Sequence, residues 1–197
     1  GFDKGTVIEC SLAAIAKKGN KVTPVCFEFN AERNYNIDAE WVGKEAARLA
    51  VSALKTKRIE TKNTKLILTQ FALQELFYFT LINAVKADNV QRNQSPFKGK
   101  IGSKVASEAV TIYDDGLFPG GLRTGAFDGE GVPRQKTLLV EKGVLRNFLH
   151  DNYTAKKEGK ESTGNASRAG YVSTPSIEAT NFHILPGNKT SDQLISE

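Results

Sequence analysis

The sequence predicts an α+β fold, an antiparallel or mixed sheet with hairpins and two packed helices, and three observations lead there. Runs rich in β-formers come in neighbouring pairs joined by tight turns, as antiparallel pairing requires. Two longer segments space their apolar residues as helices do. The strand and helix pieces are mixed with hairpins and do not alternate as a regular parallel sheet would demand.

In chain order, Thr6 to Phe29 contains two β-rich runs around Lys18-Gly19-Asn20, residue types that take the positive φ of a reversal. With the turn at Lys17 to Lys21, Cys10 faces the neighbourhood of Phe29 and not Cys26, so the two cysteines are expected as free thiols. A helix follows from about Asp38 to Lys57. Asp38 is its N-cap, Val42, Ala46, Leu49 and Ala53 share one face, and Glu45, Arg48, Ser52 and Lys55 share the other. Lys65 to Thr69 reads as a short apolar strand leading into a second helix, Phe71 to Ala87. That helix is apolar on most of its circumference and is therefore expected to be buried against the strand's sheet.

Asn89 to Lys100 lacks periodicity and reads as a surface loop, and residues 88–108 offer a place to subdivide the chain. Ala109 to Tyr113 is a strand closed by Asp114-Asp115-Gly116, and the glycine-rich stretch from there to Pro133 is irregular. Lys136 to Glu141 and Val144 to Leu149 form a hairpin about Lys142-Gly143. A short helix from Tyr153 to Gly159, a polar loop from Lys160 to Ala169, and a strand from Asn181 to Leu185 stopped by Pro186-Gly187 complete the chain, with a new helix beginning near Glu197.

Composition narrows the function. The 197 residues carry a net charge of +5, from 27 Lys and Arg against 22 Asp and Glu, and Met is absent. The basic residues are scattered and not interleaved with aromatics, so a nucleic-acid surface is not expected. The most apolar stretch, Phe71 to Val85, is interrupted by Gln74, Glu75, Thr80 and Asn83, so no membrane span is expected. A cytoplasmic location is the expectation. The two histidines, His150 and His183, stand alone, outside any i, i+3 or i+4 ligand pair, and are expected to be structural. No GxSxG elbow is present. No catalytic or metal-ligating residue is assigned.

Two turn motifs remain. In Phe127-Asp128-Gly129-Glu130-Gly131-Val132-Pro133, Asp128 and Glu130 could contact a ligand, but the plainer expectation is that they cap backbone amides in a tight loop. In Ser162-Thr163-Gly164-Asn165-Ala166, the candidates are Ser162, Thr163 and Asn165, suited to hydrogen bonds with a peptide backbone or an anion.

These motifs, with Gly102 to Val105 and Val110 to Asp115 before them, Thr137 to Leu145 and Asp151 to Gly159 between them, and Thr180-Asn181 and Leu185 to Gly187 after, resemble the TldD/PmbA family. That family was once described as modulators of DNA gyrase and is understood as protease subunits. The resemblance implies that the chain is the central part of a longer protein. In the family's catalytic subunit an HExxxH stands on the helix after the KLILT-like strand, two histidines holding zinc and the glutamate activating water. Here that helix reads FALQELFYFTLINAV, Phe71 to Val85, with Glu75 and no histidine. The resemblance therefore implies a non-catalytic PmbA/TldE-like subunit without zinc of its own. Its expected partners are an HExxxH-bearing TldD-like homologue that holds the zinc and short or unfolded peptides paired to a sheet edge. A self-sufficient hydrolase with ligands elsewhere, and a nucleic-acid-associated regulator, are the competing readings.

Overall fold

The computed structural model describes residues 2–196, and the chain forms two compact units. One is Lys4–Lys65; the other runs from Leu66 onward and takes in residues 2–3. Residues 88–108, expected as a place of subdivision, lie inside the second unit.

In the first unit, β1 (Ile8–Ala14) pairs antiparallel with β4 (Cys26–Glu32), and a small inner ladder, β2 (Lys17–Lys18) with β3 (Lys21–Val22), carries the turn. Gly19 at φ +59° makes the reversal. The register sets Cys10 opposite Asn30, beside Phe29, and Cys26 opposite Ala14, and both cysteines are free thiols. Helix α1 (Ala39–Ala53) packs on both long strands. It begins where expected, because the Asp38 carboxylate accepts the Trp41 N–H at 2.8 Å. Val42, Ala46 and Ala50 are its buried stripe, with Leu49 and Ala53 half-buried beside it.

The second unit corrects two expectations. Lys65 to Thr69 forms no strand. Leu66 and Ile67 face solvent, and without a neighbouring strand an apolar run has no ladder to join. The helix expected over Phe71 to Ala87 is three pieces, α2 (Gln70–Phe79), α3 (Leu81–Ala84) and α4 (Ala87–Gln91), and α2 has no buried residue. Lys86, extended and bridged to Leu149, makes the second break, and Thr80 makes the first. At φ −121° and ψ −82° it leaves helical geometry, and its hydroxyl donates back to the Leu76 carbonyl, a bond that competes with the helical ladder. Leu81, Ile82, Ala84 and Val85, beyond the first break, reach the core.

That core lies against one sheet, in the order β10 (Phe182–Ile184), β5 (Ile112–Asp115), β6 (Lys136–Glu141) and β7 (Val144–Leu145), all antiparallel. Ile112, Leu139, Val140, Leu145 and Leu149 pack there with Val85, Ala87 and Val90. The hairpin from β6 to β7 turns on Lys142 at φ +46° and Gly143 at φ +79°, the paired positive φ of a tight two-residue turn. The strand expected to Leu149 stops at Leu145, where the Arg146 and Asn147 N–H groups both reach the Leu139 carbonyl, at 2.8 and 3.5 Å, two residues against one as in a bulge. Asp114 and Asp115, expected as the turn after the strand, instead belong to β5.

A short helix, α5 (Asn152–Lys157), is capped by Asp151 and Thr154 in a reciprocal capping box. The polar loop after it contains β8 (Ala166–Ser167), paired with β9 (Ser176–Ile177). Helix α6 (Ser191–Ile195) is the last element.

Candidate functional site

The fold brings the two motifs together. Between Phe127 and Pro133 the chain doubles back, with Gly131 at φ +80°. Asp128, at 5% exposure, fills the loop: its Oδ1 accepts the N–H groups of Glu130 and Val132 at 2.9 and 3.0 Å, and its Oδ2 accepts the Ala166 N–H of the second motif at 2.9 Å. Gly129 N–H donates to the Ala166 carbonyl at 2.8 Å, so two loops far apart in sequence are stitched edge to edge. Glu130 accepts the Asn152 N–H, the first of α5, at 2.8 Å. Both carboxylates thus satisfy main-chain donors.

The second motif clamps the chain at His150. The Thr163 hydroxyl accepts the His150 N–H at 2.7 Å, while Thr163 N–H and the Ser162 hydroxyl reach the His150 carbonyl at 3.2 and 3.1 Å. Gly164, at φ +71°, lies so close to Pro133 that a Cβ would sit 2.5 Å from its carbonyl oxygen. Asn165 is buried, with its Oδ1 2.7 Å from the Thr163 hydroxyl and its Nδ2 donating to Asp114 Oδ2 at 2.7 Å and to the Glu178 carbonyl at 3.0 Å. Asp114 also accepts Thr180 N–H and hydroxyl, at 2.7 and 2.8 Å.

Sequence reasoning missed Asp114, Thr180, Arg123 and Arg134, which complete this polar centre. Burial pushes the Asp114 pKa up, although the hydrogen bonds from Asn165 and Thr180 oppose the shift. Burial likewise pulls the Arg134 pKa down, against the attraction of Asp128 and Asp114. The adjacent acids Asp114 and Asp115, both buried, gave no sequence signal of which one meets Asn165 and Thr180.

A second region lies at the free edge of the sheet. The Asn181 carbonyl accepts Asp115 N–H and the Leu185 N–H donates to the Thr111 carbonyl, so odd-numbered residues of this strand bond to β5. The main-chain groups of Phe182 and Ile184 therefore face outward. Across from them Gln70, Leu73, Gln74, Phe77 and Tyr78 of α2 line a cleft of about 400 Å³ with that edge. His183 stacks on Tyr113, with centroids 5.0 Å apart, and lies against the tilted ring of Phe118 at 4.4 Å, and its Nε2 is buried without a hydrogen bond. His150 is also buried, its Nδ1 without a partner. The Glu158 carboxylate lies 4.0 Å from His150 Nε2, but among the described residues no three His, Cys, Asp or Glu side chains converge as a metal site. The α2 donors Gln74 and Glu75 do not make the nitrogen-bearing set that zinc takes in such sites.

A family model described as the PmbA/TldA metallopeptidase C-terminal domain matches residues 61–197. The chain belongs to the TldD/PmbA family. It is 45% identical over 165 residues to an uncharacterized protein of Methanocaldococcus jannaschii, covering 83% of this chain and 39% of that protein. It is 33% identical over 166 residues to the metalloprotease TldD homolog of Buchnera aphidicola, covering 84% and 34%. The crystal structure of TldE from Thermococcus kodakarensis matches with a TM-score of 0.88 at 34% identity, over 97% of this chain and 43% of that one. The chain therefore spans well under half the length of these TldD/PmbA relatives. No helix among the described residues is long and apolar enough to cross a membrane.

Proposed function

We propose that this chain belongs to a non-catalytic, PmbA/TldE-like subunit of a TldD-type zinc metallopeptidase assembly acting on short or unfolded peptides. The supporting observation is the cleft between α2 and the open sheet edge. Its helix stands where the family resemblance expects the zinc-binding pair, yet it presents Leu73, Gln74, Phe77 and Tyr78. An extended peptide entering there would meet the outward N–H and C=O groups of Phe182 and Ile184, which can extend the ladder whatever the peptide's sequence. Hydrolytic chemistry, a zinc-bound water and its general base, falls to the partner. In this reading Asp128, Glu130, Ser162, Thr163 and Asn165 hold the loops that shape the domain. A cytoplasmic location belongs to the same proposal.

The test is to purify the full-length protein alone and co-expressed with an HExxxH-bearing relative, then measure bound zinc and cleavage of an unfolded casein substrate. Zinc and cleavage are expected only where the two co-purify. Stoichiometric zinc or cleavage by this subunit alone would mean a self-sufficient hydrolase. Salt-sensitive duplex binding with no co-purifying partner would mean a nucleic-acid regulator.

A further inference from the structure

Beside the buried polar centre is a cleft of about 70 Å³ lined by Arg123, Arg134, Ser167, Glu178 and Thr180 above Asn165. That is room for several water molecules, or for the head of one small anion. Two guanidiniums share this space, and each makes a single side-chain hydrogen bond: Arg123 Nη1 to the Ala179 carbonyl at 2.9 Å and Arg134 Nη1 to the Gly164 carbonyl at 3.3 Å. Among the described residues neither has a carboxylate within ion-pair distance, so most of their donors are unspent. The nearby acids are otherwise engaged. Glu178 pairs with Lys86 at 3.0 Å, Asp128 accepts three N–H groups, Asp114 accepts from Asn165 and Thr180, and Asp3, whose charge also acts on Arg134, accepts the Ala126 N–H at 2.8 Å.

Arg134 is also held in place. Its aliphatic stem lies over Gly116, so closely that a Cβ there would come within 2.8 Å of it. Two like charges kept side by side in a partly desolvated cleft repel each other, and the Arg123 charge works with burial to lower the Arg134 pKa. The Ser167 hydroxyl, which makes no hydrogen bond among the described residues, adds a further donor to the same cleft. Planar forks of donors with no acceptor match a planar oxyanion.

We infer that the cleft between Arg123 and Arg134 is a carboxylate-binding site. Its ligand is either a small free carboxylate or the C-terminal carboxylate of a peptide, and the second source rests on the peptide-handling reading above.

The probes are sodium acetate, followed by an N-acetylated tripeptide as the free acid and as the C-terminal amide, titrated into the full-length protein with ¹⁵N-labelled arginine. Saturable acetate-induced shifts at the Nε–H signals of Arg123 and Arg134 are expected. The free-acid peptide should bind at least tenfold more tightly than the amide. Arg134→Gln should abolish both effects and Arg134→Lys should weaken them. Arg123→Gln, at an exposed position, provides the same test without touching the packed stem. Acetate binding with equal affinity for acid and amide would support the site and assign it to free carboxylates. Acetate binding with no peptide binding would leave the site standing and count against peptide handling. Absence of saturable acetate shifts in the folded protein, or affinities unchanged in both glutamine variants, would overturn the inference.

Discussion

Asn165 donates from Nδ2 to Asp114 Oδ2 at 2.7 Å, joining two side chains at 2% and 1% exposure that lie 51 residues apart in sequence. The bond ties the STGNA loop to strand β5 and, through Thr180, to the chain entering β10. Asn165→Ala would leave the Asp114 carboxylate short of a donor inside the fold. An unsatisfied buried polar group costs about 1–3 kcal/mol, and a loss of that size is expected in urea unfolding. A change below about 0.5 kcal/mol would mean that water replaces the amide freely.

The burial of His150 makes an acid limb. Burial holds its pKa below the usual imidazole value, even though the Glu158 carboxylate, 4.0 Å away, pulls the other way. The folded state thus keeps His150 neutral, while the unfolded chain takes up a proton near pH 6.5. Its contribution is fully present above that pH and is lost as pH falls toward the depressed folded value. His150→Gln should flatten the stability profile below about pH 6.5. Parallel wild-type and variant melts across that window would count against the assignment.

The turn of the β6–β7 hairpin gives a paired test. Gly143 is at φ +79°, and a Cβ there would sit 2.4 Å from the Ala106 carbonyl oxygen. Gly143→Ala should cost more than about 2 kcal/mol, from strain and collision together. Lys142, at φ +46°, already bears the strain of a side chain in that region, so Lys142→Gly should be neutral or stabilise by up to about 1 kcal/mol. Chemical denaturation of the two variants measures both.

Leu149 and Phe77 should separate by size of effect. Leu149 is wholly buried in the sheet core, and Leu149→Ala should cost about 2–5 kcal/mol. Phe77 is only half-buried on α2, so Phe77→Ala should cost well under the ~3–5 kcal/mol of a core aromatic. Equal losses in thermal unfolding would show that α2 is covered in solution.

The contrast between these residues also explains what the sequence could disclose. Both hairpins and α1 were legible because their causes are local: Gly19, Gly143 and the Asp38 cap act within a few residues of where they stand. The segment Lys65 to Thr69 was misread because its β-propensity is local while a strand's existence depends on a distant partner. Phe71 to Ala87 was misread for a related reason. Its apolar content resembles a buried helix, but the Thr80 hydroxyl turned back on the chain and the extended Lys86, bridged to Leu149, divide it. At the candidate site, the loops of Asp128 and Asn165 were visible as motifs. Asp114 and Thr180 stood in segments of the family resemblance, but their roles and that of Arg134 were not legible, since these rest on inward orientation and partners 30 to 66 residues away.

The edge strand β10 has a further property. Its outward main-chain groups belong to Phe182 and Ile184, and the next outward positions are Thr180 and Pro186. The Thr180 N–H is already given to Asp114, and Pro186 has no N–H to give. The exposed ladder is therefore closed at both ends after two residues. Sheets with long bare borders tend to stack border to border into aggregates, and natural proteins suppress this with very short edges and prolines. Here the same two stops leave an opening too brief to template runaway self-association, so a strand added at this border stays a single, finite event.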